Sequence, residues 1–208
     1  DMDGLLLDTE RLCLEAFVAT RSAFGLSPSR ETFLKVVGRR GEQASQIIRD
    51  SLDGTVSFET FDRGWDRRID DLMANGASLK PGVLELLEAL KAQATPMAVA
   101  TSTGSKLAKQ NLKNAGIFEY FQTIVGGDDV EKHKPDPEPY LTAARALGVD
   151  PSQCAAFEDS DPGTRAAVAA GMTTVQVPDL LEPSSEVAKL GHVIAADILA
   201  GAKRIGLI

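Results

Sequence analysis

The chain has 208 residues, 43% of them hydrophobic and 25% charged, with a formal net charge of −8. That length buries a core of ordinary domain size with room for a smaller appended unit, and the acidic balance excludes a nucleic-acid or anionic-membrane surface, because the summed field repels phosphate groups. No apolar run approaches the ~18 residues of a membrane span, and Cys13 and Cys154 stand far apart without metal-ligand spacing to a histidine, so a soluble cytoplasmic chain with reduced thiols is expected.

Residues 10–77 carry helical patterns almost exclusively. Leu12, Ala16, Phe17, Ala19, Ala23 and Phe24 share one helical face, and Gly25 stops it. Ser27-Pro28 reads as an N-cap with proline at the first helical position, leading through Phe33, Leu34 and Val37 to Gly38. A third stretch runs over residues 42–52. The fourth and longest spaces Phe58, Phe61, Trp65, Ile69, Leu72 and Met73 by three and four before Asn75-Gly76.

From Lys80-Pro81-Gly82 onward the pattern changes to short apolar runs alternating with helices. Strands are expected over residues 97–100, 123–125, 154–157 and 173–177, and helices over residues 83–92, 105–115, 139–147 and 163–170. This alternation predicts an α/β fold: a doubly wound parallel, Rossmann-like core over residues 1–9 and 78–208, with an inserted all-helical unit over residues 10–77.

In such sheets, ligands bind beyond the carboxyl ends of the strands, and chemistry-bearing residues follow each apolar run here. Asp1 and Asp3, at i and i+2, can converge just past the end of a strand. Thr101-Ser102-Thr103 open a helix whose N–H groups can hold an anion. Lys134 stands in a loop stiffened by Pro135, Pro137 and Pro139, so its ammonium can be aimed. Glu158 and Asp159 offer hard oxygen ligands for a cation. Taken singly, these are a helix cap, a solvated lysine and an acidic helix start.

Together they suit phosphoryl transfer. A carboxylate nucleophile approaches a phosphoryl group only when a divalent cation and a lysine neutralise the repulsion, and Mg²⁺ held by few carboxylates fits. Hydroxyl and N–H groups orient the phosphoryl oxygens, while a second carboxylate moves the proton.

The segments DMDGLLLDTE, VATSTGS, HKPDPEPY and FEDSDPGTRAAVAAGM, in this order over nearly the whole chain, resemble the haloacid dehalogenase superfamily, in the subgroup with a helical cap inserted after the first motif. The resemblance implies that Asp1 is the nucleophile and forms an aspartyl-phosphate, and that Asp3 is the general acid/base and ligates Mg²⁺ through its backbone carbonyl. It makes Asp1 and Asp159 metal ligands and Glu158 a further ligand or a partner behind them. Thr101 becomes the phosphate-binding hydroxyl, assisted by the Ser102 N–H and the Thr103 hydroxyl, and Lys134 the third-motif lysine. Residues 10–77 become the cap, in which Arg39 and Arg40 sit where relatives place substrate-contacting residues; a solvated arginine pair is the alternative. Arg67 and Arg68 read as outer-face charges.

The expected activity is a Mg²⁺-dependent phosphatase for a small phosphorylated metabolite, a sugar phosphate or a relative of one. Asp3 points away from the dehalogenase branch. The β-phosphoglucomutase branch is the rival, although Cys13 stands where mutase relatives carry a histidine, four residues after Thr9. A receiver-like phospho-acceptor is more remote, since receivers lack the helical insert and the acidic pair. The cap-and-core design needs no second copy, so a monomer is expected.

A nucleophile beside a cation cannot fray, so an apolar strand of about five residues is expected ahead of Asp1. Gly4 then turns the backbone away from the site, residues 5–7 pack its exit toward the cap, and Asp8-Thr9-Glu10 starts the first cap helix.

Overall fold

Aromatic residues spaced by three and four in the first third of the chain fold onto one another. The computed structural model describes residues 1–37, 41–74 and 76–208, and the chain divides into a helical unit, Thr9–Ala77, and an α/β unit made of Asp1–Asp8 and Ser78–Ile208. The helical unit contains α1 (Thr9–Ala23), α2 (Arg30–Val36), α3 (Glu42–Asp50) and α4 (Phe58–Ala74). Phe17 is wholly buried, with its ring centroid 5.7, 5.5 and 5.1 Å from those of Phe33, Phe61 and Trp65. These tilted and edge-on contacts suit the ring quadrupoles.

Arg21 is buried beside them. Its Nε–H donates to the Ser27 carbonyl at 2.7 Å, and Nη1 donates to the Ser51 carbonyl and hydroxyl at 3.2 and 3.0 Å. This explains why α2 does not start at Ser27-Pro28 as the sequence predicts. Arg21 holds the Ser27 carbonyl, and the cap moves to Ser29, whose Oγ accepts the Thr32 N–H at 3.2 Å. Gly38, Arg39, Arg40 and Asn75 lie outside the described residues, so the expectations placed on them do too.

The α/β unit has five short strands, β1 (Ala98–Ala100), β2 (Thr123–Val125), β3 (Ala155–Glu158), β4 (Thr173–Gln176) and β5 (Val193–Ile194). Between and around them run α5 (Val83–Ala92), α6 (Ser105–Asn114), α7 (Glu138–Leu147), α8 (Asp161–Ala169) and α9 (Ile198–Arg204). The α/β class and the parallel pairing are as expected, while β5 and α9 are too short to leave a periodic signature. Among the described residues no helix is long and apolar enough to cross a membrane.

Instead of one sheet there are two parallel ones, β1-β2 and β3-β4-β5. Their outer strands β1 and β3 line the same cavity of about 230 Å³, with Leu5, Leu6, Leu87 and Met172 among its apolar walls. Leu5 and Leu6 are buried in the core of their own unit. The turn that holds them is closed by Gly4 N–H to Leu7 O at 2.9 Å and by Leu6 and Leu7 N–H to Met2 O at 2.9 and 3.0 Å, with Gly4 at a φ of +76°. Asp8 N–H to Ser78 O and Lys80 N–H to Leu6 O then pair the outgoing and returning segments.

The Asp1 amino nitrogen donates to the Phe157 carbonyl at 2.9 Å, as the first rung of a strand beside β3 would. An extended segment of about five apolar residues joined ahead of Asp1 is expected to raise the melting temperature by ~5–10 °C over residues 1–208 alone, by burying two or three side chains in the cavity. Calorimetry of the two chains checks this; equal midpoints mean that the cavity does not take a strand.

Candidate active site

Within the α/β unit, the ends of β1 and β3, the loop ahead of α7 and Asp1 converge on one ammonium group. Lys134 Nζ donates to Asp1 Oδ1 at 2.7 Å, to the Ala100 carbonyl at 2.9 Å and to Glu158 Oε1 at 2.5 Å. Only 6% of its side chain is exposed, so all three ammonium hydrogens are committed inside the protein.

Glu158 is fully buried and correspondingly well supplied with donors. Oε1 also accepts the Tyr140 hydroxyl at 2.5 Å, and Oε2 accepts the Ser160 hydroxyl at 3.1 Å. Burial pushes the Glu158 carboxyl up, but the charge on Lys134 and the bonds from Lys134 and Tyr140 outweigh it, so its pKa lies below the ordinary 4.5. Tyr140 moves the other way. Burial, then the Glu158 charge, raises its pKa well above 10.0, which keeps the phenol a neutral donor. Its ring also lies under Lys134 Nζ, 5.0 Å from the centroid. Tyr140 is in the third motif, where the sequence pattern gives it no role. Its position in the first turn of α7, six residues after Lys134, is the only signal that could have found it.

Asp3 lies on the opposite flank. Its Oδ2 accepts the Thr101 hydroxyl at 3.1 Å and the Thr103 hydroxyl at 2.8 Å, and Thr101 Oγ1 in turn accepts the Thr103 N–H at 3.1 Å. The two threonines thus hold a carboxylate here. Ser102, between them, has no hydrogen-bond partner among the described residues.

The start of α6 is not the open anion site that the sequence suggests. Its first N–H, on Ser105, donates to Asp128 Oδ1 at 2.6 Å, and the Ser105 hydroxyl bonds Asp129. The chain's own carboxylates occupy the positive end of the helix. No spacing pattern links Asp128 to Ser105, and the contact arises because the loop after β2 lies beside the loop after β1.

Asp1, Glu158 and Asp159 each offer one carboxylate oxygen, and the three oxygens lie within 4.8 Å of one another. An all-oxygen donor set suits a hard divalent cation. Two glycines make the room. A Cβ on Gly163 would come within 2.0 Å of the Glu158 carboxylate, and one on Gly4 within 2.5 Å of Asp159 Oδ2. The residues therefore fit a cation of this kind, while both Glu158 oxygens already hold donors. Arg39 and Arg40 lie outside the described residues.

The model of the family described as haloacid dehalogenase-like hydrolase matches residues 1–177. A phosphorylated carbohydrates phosphatase of Thermotoga maritima is 33% identical over 84% of this chain and 81% of its own. A fructose-1-phosphate phosphatase of Escherichia coli is 32% identical over 85% and 93%. A crystal structure from Thermotoga maritima, provisionally assigned as a β-phosphoglucomutase, superposes with a TM-score of 0.84 at 29% identity, covering 100% of this chain and 97% of that one.

The depressed Glu158 pKa gives a signed prediction. A carboxyl lowered by folding contributes stability that is fully present above its unfolded value of 4.5 and is lost as pH falls through the folded value. Glu158→Gln is therefore expected to unfold at lower denaturant than the parent at pH 7, and the gap should close as the pH is taken below 4.5. Urea titrations at pH 3 and pH 7 check this, and a gap of constant size would contradict it.

Proposed function

The chain belongs to the haloacid dehalogenase-like hydrolase family, and on that premise we propose that it is a Mg²⁺-dependent phosphatase of small phosphomonoesters, acting through an aspartyl-phosphate. The observation that carries this reading is the convergence on Asp1. One carboxylate touches Lys134 at 2.7 Å and shares a 4.8 Å cluster with Glu158 and Asp159. That is the neutralised environment in which a carboxylate can attack a phosphoryl group.

Mg²⁺ would be held by Asp1, Asp159 and the Asp3 carbonyl, with Glu158 behind them, and would supply positive charge to the phosphoryl oxygens. The Asp1 carboxylate attacks phosphorus and the bond from phosphorus to the ester oxygen breaks. Asp3, protonated, gives its proton to the leaving oxygen. As a carboxylate it then takes a proton from water, whose oxygen attacks phosphorus; the bond to Asp1 breaks and phosphate leaves. Thr101 and Thr103 orient Asp3 for both transfers, and the unpartnered Ser102 N–H and hydroxyl are available to the phosphoryl oxygens, with Thr101 beside them. Lys134 compensates the Asp1 charge as it is redistributed.

Two of the phosphatases matched by this chain are named for a phosphorylated carbohydrate or a sugar phosphate, which supports that substrate class here. The helical unit, as the cap of this subgroup, would select among them. A phosphosugar mutase is the second reading, favoured by the provisional assignment of the Thermotoga maritima structure. Cys13, in α1 where mutase relatives carry a histidine, weighs against it.

With Mg²⁺, the chain is expected to release inorganic phosphate from members of a sugar-phosphate panel, and release from none ends the proposal. Asp1→Asn should lower kcat by about 10³-fold or more, and substantial residual turnover would remove Asp1 from the nucleophile role. A direct assay of β-glucose 1-phosphate conversion to the 6-phosphate separates the mutase.

A further inference from the structure

Asp179, in the loop after β4, has an oxygen that nothing so far explains. Its side chain is 9% exposed. Oδ1 forms an ion pair with Lys80 Nζ, whose backbone N–H is itself fixed to Leu6 O at 3.0 Å. Oδ2 is buried and has no hydrogen-bond partner. A buried carboxylate oxygen without a donor is costly, so its persistence points to a donor supplied from outside the chain.

The direction of Oδ2 identifies that donor. It lies 3.3 Å from the point that a Cβ on Gly4 would occupy, and Asp159 Oδ2 lies 2.5 Å from the same point. The two oxygens thus both border the space that glycine leaves open, no farther apart than those two distances together. Two carboxylates cannot bond each other directly, but both accept from whatever lies between. Asp179 is not in the group formed by Asp1, Glu158 and Asp159, so it is better suited to a water on the cation than to the cation itself. Magnesium sheds water reluctantly and keeps several aqua ligands, whose hydrogens need acceptors at that distance.

We propose that Asp179 Oδ2 accepts a hydrogen bond from a water bound to the cation held by Asp1 and Asp159. This makes Asp179 a positioning residue for the cation and rests on the cation site of the proposed phosphatase. Gly4 belongs to the same device, because any side chain there would fill the space between the two carboxylates.

The test uses Mn²⁺ as a spectroscopic stand-in for Mg²⁺, titrated into the full chain and read as free ion by electron paramagnetic resonance, with no substrate present. Asp179→Asn is expected to weaken Mn²⁺ binding by about 10-fold or more. Lys80→Met is the control for stability. It removes the ion pair but leaves the carboxylate, and it should lower the melting temperature while keeping Mn²⁺ affinity within about threefold of the parent. Parent-like affinity in Asp179→Asn, or equal losses in both variants, overturns the proposal and leaves a merely structural ion pair. If the parent itself fails to bind Mn²⁺, the cation site of the proposed phosphatase fails first. If Asp179→Asn does not fold, Asp179→Glu, which keeps the charge, must retain affinity better than Asp179→Ser.

Discussion

Lys134 is the point at which segments far apart in the sequence are made to meet. Its three hydrogen bonds join the entry segment at Asp1, the end of β1 at Ala100 and the end of β3 at Glu158. The two sheets that contain β1 and β3 are not paired with each other, so this ammonium is a polar link between their outer strands at the site end. The arrangement is costly to desolvate and repays that cost only because every hydrogen and every facing oxygen is matched. Removing Lys134 leaves the buried Glu158 charge without its cation, which binds the integrity of the core to a residue of the candidate site.

The acidic partner imposes the next constraint. Glu158 has no exposure at all, and its carboxylate occupies the space above Gly163 in the first turn of α8. The helix can approach the end of β3 only because position 163 lacks a Cβ. Small residues continue the theme, with Ala143, Ala156, Ala166 and Ala167 packed in one cluster with Tyr140. Close packing of α7 and α8 is what delivers the Tyr140 hydroxyl to Glu158, and through Glu158 to Lys134. The glycine and alanine content of this region is thus part of the electrostatics.

Much of this was legible in the sequence because strand and helix periods are local, and because loops after parallel strands collect chemistry. The apolar runs that became β1 to β4 and the residues Asp1, Asp3, Lys134, Glu158 and Asp159 could be found that way. What was not legible depends on contacts between loops. Asp128 caps α6 across 23 residues, Arg21 displaces the start of α2 by holding Ser27, and Leu5 and Leu6 line the cavity beside β1 and β3. Asp179 is of the same kind. Its partner Lys80 is 99 residues away, and no spacing rule connects the two.

The charge of the site limits what it can do without help. Asp1, Asp3, Glu158, Asp159 and Asp179 bring five carboxylates to one end of the α/β unit, against the ammonium groups of Lys134 and Lys80. Each lysine is already engaged, Lys134 with two carboxylates and Lys80 with one. A phosphate monoester dianion would therefore meet, among the described residues, a locally acidic site on a chain whose net charge is itself −8. Long-range steering offers no relief, because salt screens charges beyond about 8 Å at physiological ionic strength. The attraction must come from a charge placed within contact distance of the phosphoryl oxygens, and the carboxylate excess is what would concentrate such a charge there. On this argument the acidity of the site does not oppose an anionic substrate. It would set the affinity for the cation that admits one, and each additional buried carboxylate, Asp179 in its proposed role included, would act on that affinity before it acts on the reaction.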